Sequence, residues 1–298
     1  MEKDEYDKYV LAGNIAAKVR EESRSYVNVG TPLLEIARKI EDSIKKLGGM
    51  PAFPVNLSLN DEAAHYTPVP ADDRKISEDD VIKVDIGVHV DGFIGDTACT
   101  ISFSEKHNAI VKAAEDALEK AVPLCVPGKA VDEISGIIED TIKSHGFKPV
   151  ANLTGHGLRQ WEGHAEPTIH NVRVNYQYVL KEDDVIAVEP FATDGAGRIK
   201  DSGPSVIFSL VGKKPVRSRE ARKMLGDIEA FNGMPFTERW LGSSFGTRLA
   251  LRDLRRSGIL YEYPVLKEVS KGTVTQAEHT VIVRKTPVVT TDLKSFAD

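Results

Sequence analysis

Two stretches of this chain, 104 positions apart, read almost alike: Glu78-Asp79-Asp80-Val81-Ile82-Lys83-Val84-Asp85 and Glu182-Asp183-Asp184-Val185-Ile186-Ala187-Val188-Glu189. Each leaves an acidic turn, becomes an apolar run and ends on a carboxylate. Upstream, Ile40-Glu41-Asp42-Ser43-Ile44-Lys45 matches Ile138-Glu139-Asp140-Thr141-Ile142-Lys143 at an offset of 98, and His65-x-x-Pro68 matches His164-x-x-Pro167 at an offset of 99. Three matches in one order at nearly one offset predict two similar halves. Each half holds helices, a His-x-x-Pro loop and an acid-bearing strand. A carboxylate alone on an apolar strand is costly to bury. Packing about a pseudo-twofold axis instead brings Asp85 and Glu189 to equivalent places, facing one another. A tandem duplication with separate sites is the alternative.

The first acid also opens a hairpin. Asp91-Gly92 lies between two apolar runs and favours a two-residue turn whose central positions both take φ > 0. Pairing outward from that turn sets Val90 opposite Phe93, Val88 opposite Gly95, Gly87 opposite Asp96 and Asp85 opposite Ala98. Asp85, Gly87 and Asp96 then share one face. The two carboxylates are diagonal neighbours, roughly 7–8 Å apart at the backbone, and Gly87 and Gly95 are expected to leave them uncrowded. Like charges so placed repel, which calls for a cation between them. An exposed hairpin with two solvated aspartates is the bland alternative.

The remaining chain reads as helices and strands in turn. Tyr6, Tyr9, Val10, Gly13, Ile15, Ala16, Ala17 and Val19 recur at helical spacing over residues 5–24. Thr31-Pro32 is expected to open a second helix, with Thr31 as N-cap, and Gly48-Gly49 to close it. Residues 51–70 read as extended chain and loop and contain Phe53 and His65. Helices follow from about Lys106 to Val122 and from about Val131 to Ser144. Next come a glycine-flanked histidine, His156, a second histidine, His164, and a buried strand Val185–Phe191 carrying Glu189. The acid that follows is Glu278, 89 residues on, in the alternating run Thr273–Val283. That gap implies extra strands and a helical insertion at about residues 217–262, where Met224, Leu225, Ile228 and Phe231 have helical spacing and Gly233-Met234-Pro235 breaks the pattern.

Composition narrows the classes. At 298 residues, 41% hydrophobic and 28% charged, the chain has a globular composition. Its net charge of -6 argues weakly against nucleic acid as partner of the whole chain. No run is long and apolar enough to span a membrane, and Met1-Glu2-Lys3-Asp4-Glu5 starts no signal region. Two cysteines, Cys99 and Cys125, build no disulfide framework, so a cytoplasmic location is expected.

Asp85, Asp96, His156, Glu189 and Glu278 make five candidate ligands: four carboxylates and one imidazole. Four carboxylates need about two divalent cations to neutralise them, and this oxygen-rich set suits Mn, Fe or Co, with Zn also allowed. Any one of the five alone reads more readily as a surface acid or a loop histidine. The repeat that joins two of them favours the metal reading.

At this point the chain resembles the type II methionine aminopeptidases, metallopeptidases of the pita-bread fold. The likeness rests on Ala64-His65-Tyr66-Thr67-Pro68, Asp85 through Asp96, Gly155-His156-Gly157 and Gln276-Ala277-Glu278-His279-Thr280, and extends over nearly the whole chain. It implies an α+β fold: two pseudo-twofold-related α/β halves around a curved antiparallel sheet, residues 1–298 forming one catalytic domain. It implies two divalent ions, with Asp96 and Glu278 bridging, Asp85 completing one site and His156 with Glu189 the other. It further implies that Glu189 takes and returns a proton, that His164 stabilises the oxyanion and that His65 contacts the substrate near the scissile amide. Phe53 and Tyr263 become candidates for the methionine pocket. Removal of N-terminal methionine before a small second residue follows as the expected activity, on the N-termini of nascent proteins and peptides. The expected enzyme is a cytoplasmic monomer, with a ribosome contact as a further partner. Ala277, where a larger aromatic is common, and Arg159-Gln160-Trp161-Glu162-Gly163 are the departures expected to alter the pocket.

Three rivals remain. Gly242-Ser243-Ser244-Phe245-Gly246 matches G-x-S-x-G, but Thr237-Glu238-Arg239-Trp240 before it is no buried strand, which a nucleophile elbow requires. Residues 217–256 hold nine Lys/Arg against five Asp/Glu, which fits a nucleic-acid or ribosome-binding module of the same fold. A prolidase-like X-Pro aminopeptidase shares fold and ligands but usually carries a large extra N-terminal domain.

Overall fold

A computed structural model describes residues 1–212, 214–216 and 218–293. The first half comprises α1 (Lys3–Ser23), α2 (Leu33–Lys46), β1 (Met50–Pro51), β2 (Asn56–Leu59), β3 (Glu62–Ala64), β4 (Val81–Val90) and β5 (Phe93–Ser102). The second comprises α3 (Asn108–Ala121), α4 (Val131–Ser144), β6 (Lys148–Pro149), β7 (Thr154–Arg159), β8 (Glu162–His170), β9 (Val185–Val188) and β10 (Phe191–Thr193). There follow β11 (Ile199–Asp201), β12 (Ile207–Leu210), α5 (Arg219–Glu229), β13 (Phe236–Thr237), α6 (Glu238–Leu241), α7 (Phe245–Ser257), β14 (Leu260–Tyr263), β15 (Leu266–Glu268), β16 (Val274–Gln276), β17 (His279–Ile282) and β18 (Val288–Val289). Every strand pairing among these is antiparallel.

The repeat reaches into the core. Ile36, Ile40 and Ile44 on α2 are buried in one core with residues of β2 and β4, and Ile134, Ile138 and Ile142 on α4 are buried in another with residues of β9 and β17, in the same pattern. Each half thus buries one helix stripe in a core that includes the strand leading to its acid. A third core belongs to α5, α7 and the sheet β13-β12-β14, where Met224, Ile228, Phe236 and Leu254 meet.

The hairpin register is the expected one: Val90↔Phe93, Val88↔Gly95, Gly87↔Asp96 and Asp85↔Ala98. Asp91 and Gly92 have φ of 51° and 86°, as the two-residue turn requires. The expectation of open space around the acids is corrected. A Cβ on Gly87 would strike the Phe53 ring, so an aromatic already covers that place. Gly95 lies on the opposite face, where a Cβ would meet the backbone of α1 at Ala12 and Gly13.

Two further expectations change. Pro32, not Thr31, stands at the cap of α2, and its carbonyl receives the N–H groups of Glu35 and Ile36. An isolated bridge pairs Pro32 with Lys75, which keeps the segment extended up to the helix. Glu189 is not within a strand: it lies with Pro190 in a break between β9 and β10. Glu278 lies likewise between β16 and β17. Val188 pairs with His279 and Phe191 with Gln276, so carrying the register through the break sets Glu189 opposite Glu278.

The halves meet along β5 and the β16–β17 segment through threonine hydroxyls. Thr280 Oγ1 accepts from Asp96 N–H at 2.7 Å and donates to Asp96 O at 2.8 Å. Thr97 Oγ1 donates to Glu278 O at 2.8 Å, and Glu278 N–H to Ala98 O at 3.1 Å. Thr100 Oγ1 serves Gln276 in the same way. Buried backbone groups need partners, and here side chains complete what a strand ladder does not.

Candidate functional site

One cavity of about 210 Å³ receives every site residue expected from the sequence: Asp85, Asp96, His156, Glu189 and Glu278, together with His65, His164, Phe53 and Tyr263. The hairpin supplies Asp85 and Asp96, β7 supplies His156, β8 supplies His164, and the two strand breaks supply the glutamates. At Glu189 the cause of the break is local, because Pro190 has no N–H to continue a ladder.

Ligand-capable atoms of Asp96, His156 and Glu278 all lie within 4.8 Å of one another. His156 Nε2 is 4.0 Å from Asp96 Oδ2 and 3.5 Å from Glu189 Oε1. His156 Nδ1 is 3.3 Å from Gly157 O. A carbonyl only accepts, so Nδ1 carries the proton and Nε2 presents its lone pair to the acids. Burial, then His164, holds the His156 pKa well below the usual histidine value. A neutral imidazole with its outer nitrogen tied to a backbone carbonyl is the form that binds a metal ion.

The carboxylates are mutually strained by charge. Burial pushes Asp85 up to about 7, against a favourable contribution from the Gln276 amide. Burial first, then the neighbouring acids, pushes Asp96, Glu189 and Glu278 well above the usual range. Arg20 opposes this at Glu278. Asp85 Oδ1 and Asp96 Oδ1 are buried with no hydrogen-bond partner among the described residues. Orphaned carboxylate oxygens beside an imidazole lone pair fit divalent cations.

The other two histidines of the cavity differ. His65 Nδ1 donates to Pro264 O at 3.1 Å, which leaves Nε2 as an acceptor. Burial, then His164, pushes its pKa down to about 4, and its ring stands edge-on to Tyr263 at 5.7 Å. His164 is solvent-accessible at the cavity, its ring centre 4.3 Å from that of His156. The protein mass around it still lowers its pKa.

Asn56, Ile207 and Pro235 also line the cavity, and the amide of Gln276, which the sequence reading left without a role, contacts its two glutamates from behind the lining. Gln276 was legible, since i and i+2 put it on one strand face with Glu278. Ile207 and Pro235 come from distant segments and leave no local signal. Neither expected departure lines the cavity. Ala277 packs into the core of the second half. Trp161 sits at the tip of the β7–β8 hairpin, its N–H on Gly92 O at 2.9 Å and its ring 4.9 Å from His89. Ser244 of the G-x-S-x-G match caps α7, accepting from Thr247 N–H at 3.0 Å.

A model of metallopeptidase family M24 matches residues 7–284. The chain is 46% identical over 290 residues to a methionine aminopeptidase of Pyrococcus horikoshii, covering 96% of this chain and 98% of that one. It is 43% identical over 289 residues to a methionine aminopeptidase of Methanocaldococcus jannaschii, covering 97% and 98%. A solved methionine aminopeptidase of Thermotoga maritima superposes with a TM-score of 0.71 at 21% identity, covering 98% of each chain.

Proposed function

The chain belongs to metallopeptidase family M24, and from that premise we propose that it removes the N-terminal methionine from proteins and peptides. The observation that carries the reading is the convergence of four carboxylates and an imidazole on one cavity. Relatives that match nearly the full chain bear the methionine aminopeptidase name, which favours this reading over the X-Pro and nucleic-acid-binding ones.

Asp85, Asp96, His156, Glu189 and Glu278 would hold two divalent ions, Asp96 and Glu278 shared between them. Bound there, such ions lower the pKa of water and polarise a carbonyl. Glu189 is our candidate for moving the proton, through its Oε1, the oxygen that faces His156. His164, neutral and open to the cavity, would donate an N–H to the scissile carbonyl oxygen as charge develops. His65 would accept from the substrate's amide, because its Nδ1 is already committed to Pro264. Phe53 and Tyr263 would wall the methionine side chain. A small second residue is preferred because it must pass between His65 and His164.

We read residues 1–298 as one catalytic domain in which about 217–262 form an insertion; Lys213, Arg217 and residues 294–298 lie outside the described residues. Among the described residues no helix is long and apolar enough to cross a membrane. The natural substrates would be nascent chains met in the cytoplasm by a monomer, with a ribosome contact offered by the basic insertion. Methionine release from Met-Ala-Ser and Met-Glu-Lys tests the specificity. Met-Ala-Ser should be cleaved far faster, and equal rates would contradict the proposed rim.

A further inference from the structure

Both glutamates of the cavity are gripped by one side chain. Gln276 ends β16 and is 1% exposed. Its Nε2 stands 3.2 Å from Glu189 Oε2 and 3.3 Å from Glu278 Oε2. Its backbone is clamped from the other half: its N–H donates to Thr100 Oγ1 at 2.8 Å, and that hydroxyl donates to Gln276 O at 2.7 Å. Register with Phe191 fixes it along the strand. The orientation of the amide follows from chemistry, since its oxygen turned toward the acids would meet two acceptors. Gln276 Oε1 is instead buried with no hydrogen-bond partner among the described residues, a destabilising arrangement opposed by the charge-assisted contacts of the amide to the carboxylates.

We infer that Gln276 is a positioning residue for the metal centre, its amide donating to one oxygen of Glu189 and to one of Glu278 so that both carboxylates are held in one orientation toward the ions. Glu189 fits this arrangement: Oε2 meets the amide, while Oε1 lies 3.5 Å from His156 Nε2. An amide carries no charge, so it orients both acids without neutralising either. The two glutamates come from opposed strand breaks, and Gln276 ties their carboxylates to one side chain. This inference rests on the metal-binding reading above.

The test titrates metal-free protein with Mn²⁺ alone in a calorimeter, comparing wild type, Gln276→Met and Gln276→Asn. Met keeps the chain length without a donor; Asn keeps the donor but withdraws it by one methylene. Both variants should bind Mn²⁺ about 10–100-fold more weakly, the usual cost of losing a partner of a metal ligand. At saturating Mn²⁺, kcat for Met-Ala-Ser should fall while KM stays within about twofold. A purely structural role would lower the melting temperature of the metal-free protein and leave Mn²⁺ affinity unchanged. Wild-type affinity in either folded variant overturns the inference, and Gln276→Asn alone decides if the Met variant fails to fold. If the wild type itself binds no Mn²⁺, the metal reading falls and this inference with it.

Discussion

His156 and His164 lie 4.3 Å apart, ring centre to ring centre, yet their chemistry differs. His156 has its Nε2 lone pair among acids, whereas His164 opens to the cavity. His164→Ala should therefore cut turnover by about 10²–10³, the scale of one lost oxyanion donor, with metal content near wild type. Metal loss on that substitution would make His164 a ligand. Asp96→Asn and Glu278→Gln should instead abolish activity and lower bound metal together, as elemental analysis of the purified variants would read. His65 gives a pH prediction. Its pKa is depressed from 6.5 to about 4 in the fold, so the unfolded chain takes up the proton first on acidification. The stability it contributes is fully present above about pH 6.5 and is lost as pH falls through about 4. His65→Gln should flatten the melting temperature's pH dependence in that window; an unchanged slope would contradict the buried neutral state.

The seam between halves is where elements decide function, because Asp96 and Glu278 are both pinned there by hydroxyls. Thr280→Val keeps the shape but strands Asp96 N–H and O, each costing about 1–3 kcal/mol. We expect the urea midpoint to fall with the slope unchanged; a midpoint like wild type would mean that water replaces the hydroxyl. None of this seam was legible in the sequence, since its partners are about 180 residues apart and threonine is an ordinary strand residue. The hairpin was legible down to its register, because Asp91-Gly92 fixes the turn and alternation fixes the rest. The strand breaks at Glu189 and Glu278 were not, because the apolar alternation runs straight across them. Pro190 was the available local signal for the first. Phe53 over Gly87 was hidden for a different reason: nothing at position 87 reports what packs on it.

At the scale of the molecule, two like halves each bury a helix stripe in a core that includes the strand leading to an acid, and neither half completes the centre alone. Asp85, Asp96 and His65 come from the first, His156, His164 and Glu189 from the second, and Glu278 from the strands beyond. Bound cations should therefore stabilise the whole fold through mass action. Chelator should lower the melting temperature and Mn²⁺ should restore it; a melting temperature indifferent to both would detach the cavity from metal binding. The claim that joins all scales is metal-dependent removal of an N-terminal methionine with a free amine. Its most direct measurement is methionine release from Met-Ala-Ser and N-acetyl-Met-Ala-Ser, by chelated protein and by the same protein reconstituted with Mn²⁺. The account predicts release only from the free peptide and only after reconstitution. Undiminished release by the chelated protein, or equal kcat/KM for the acetylated peptide, would contradict it.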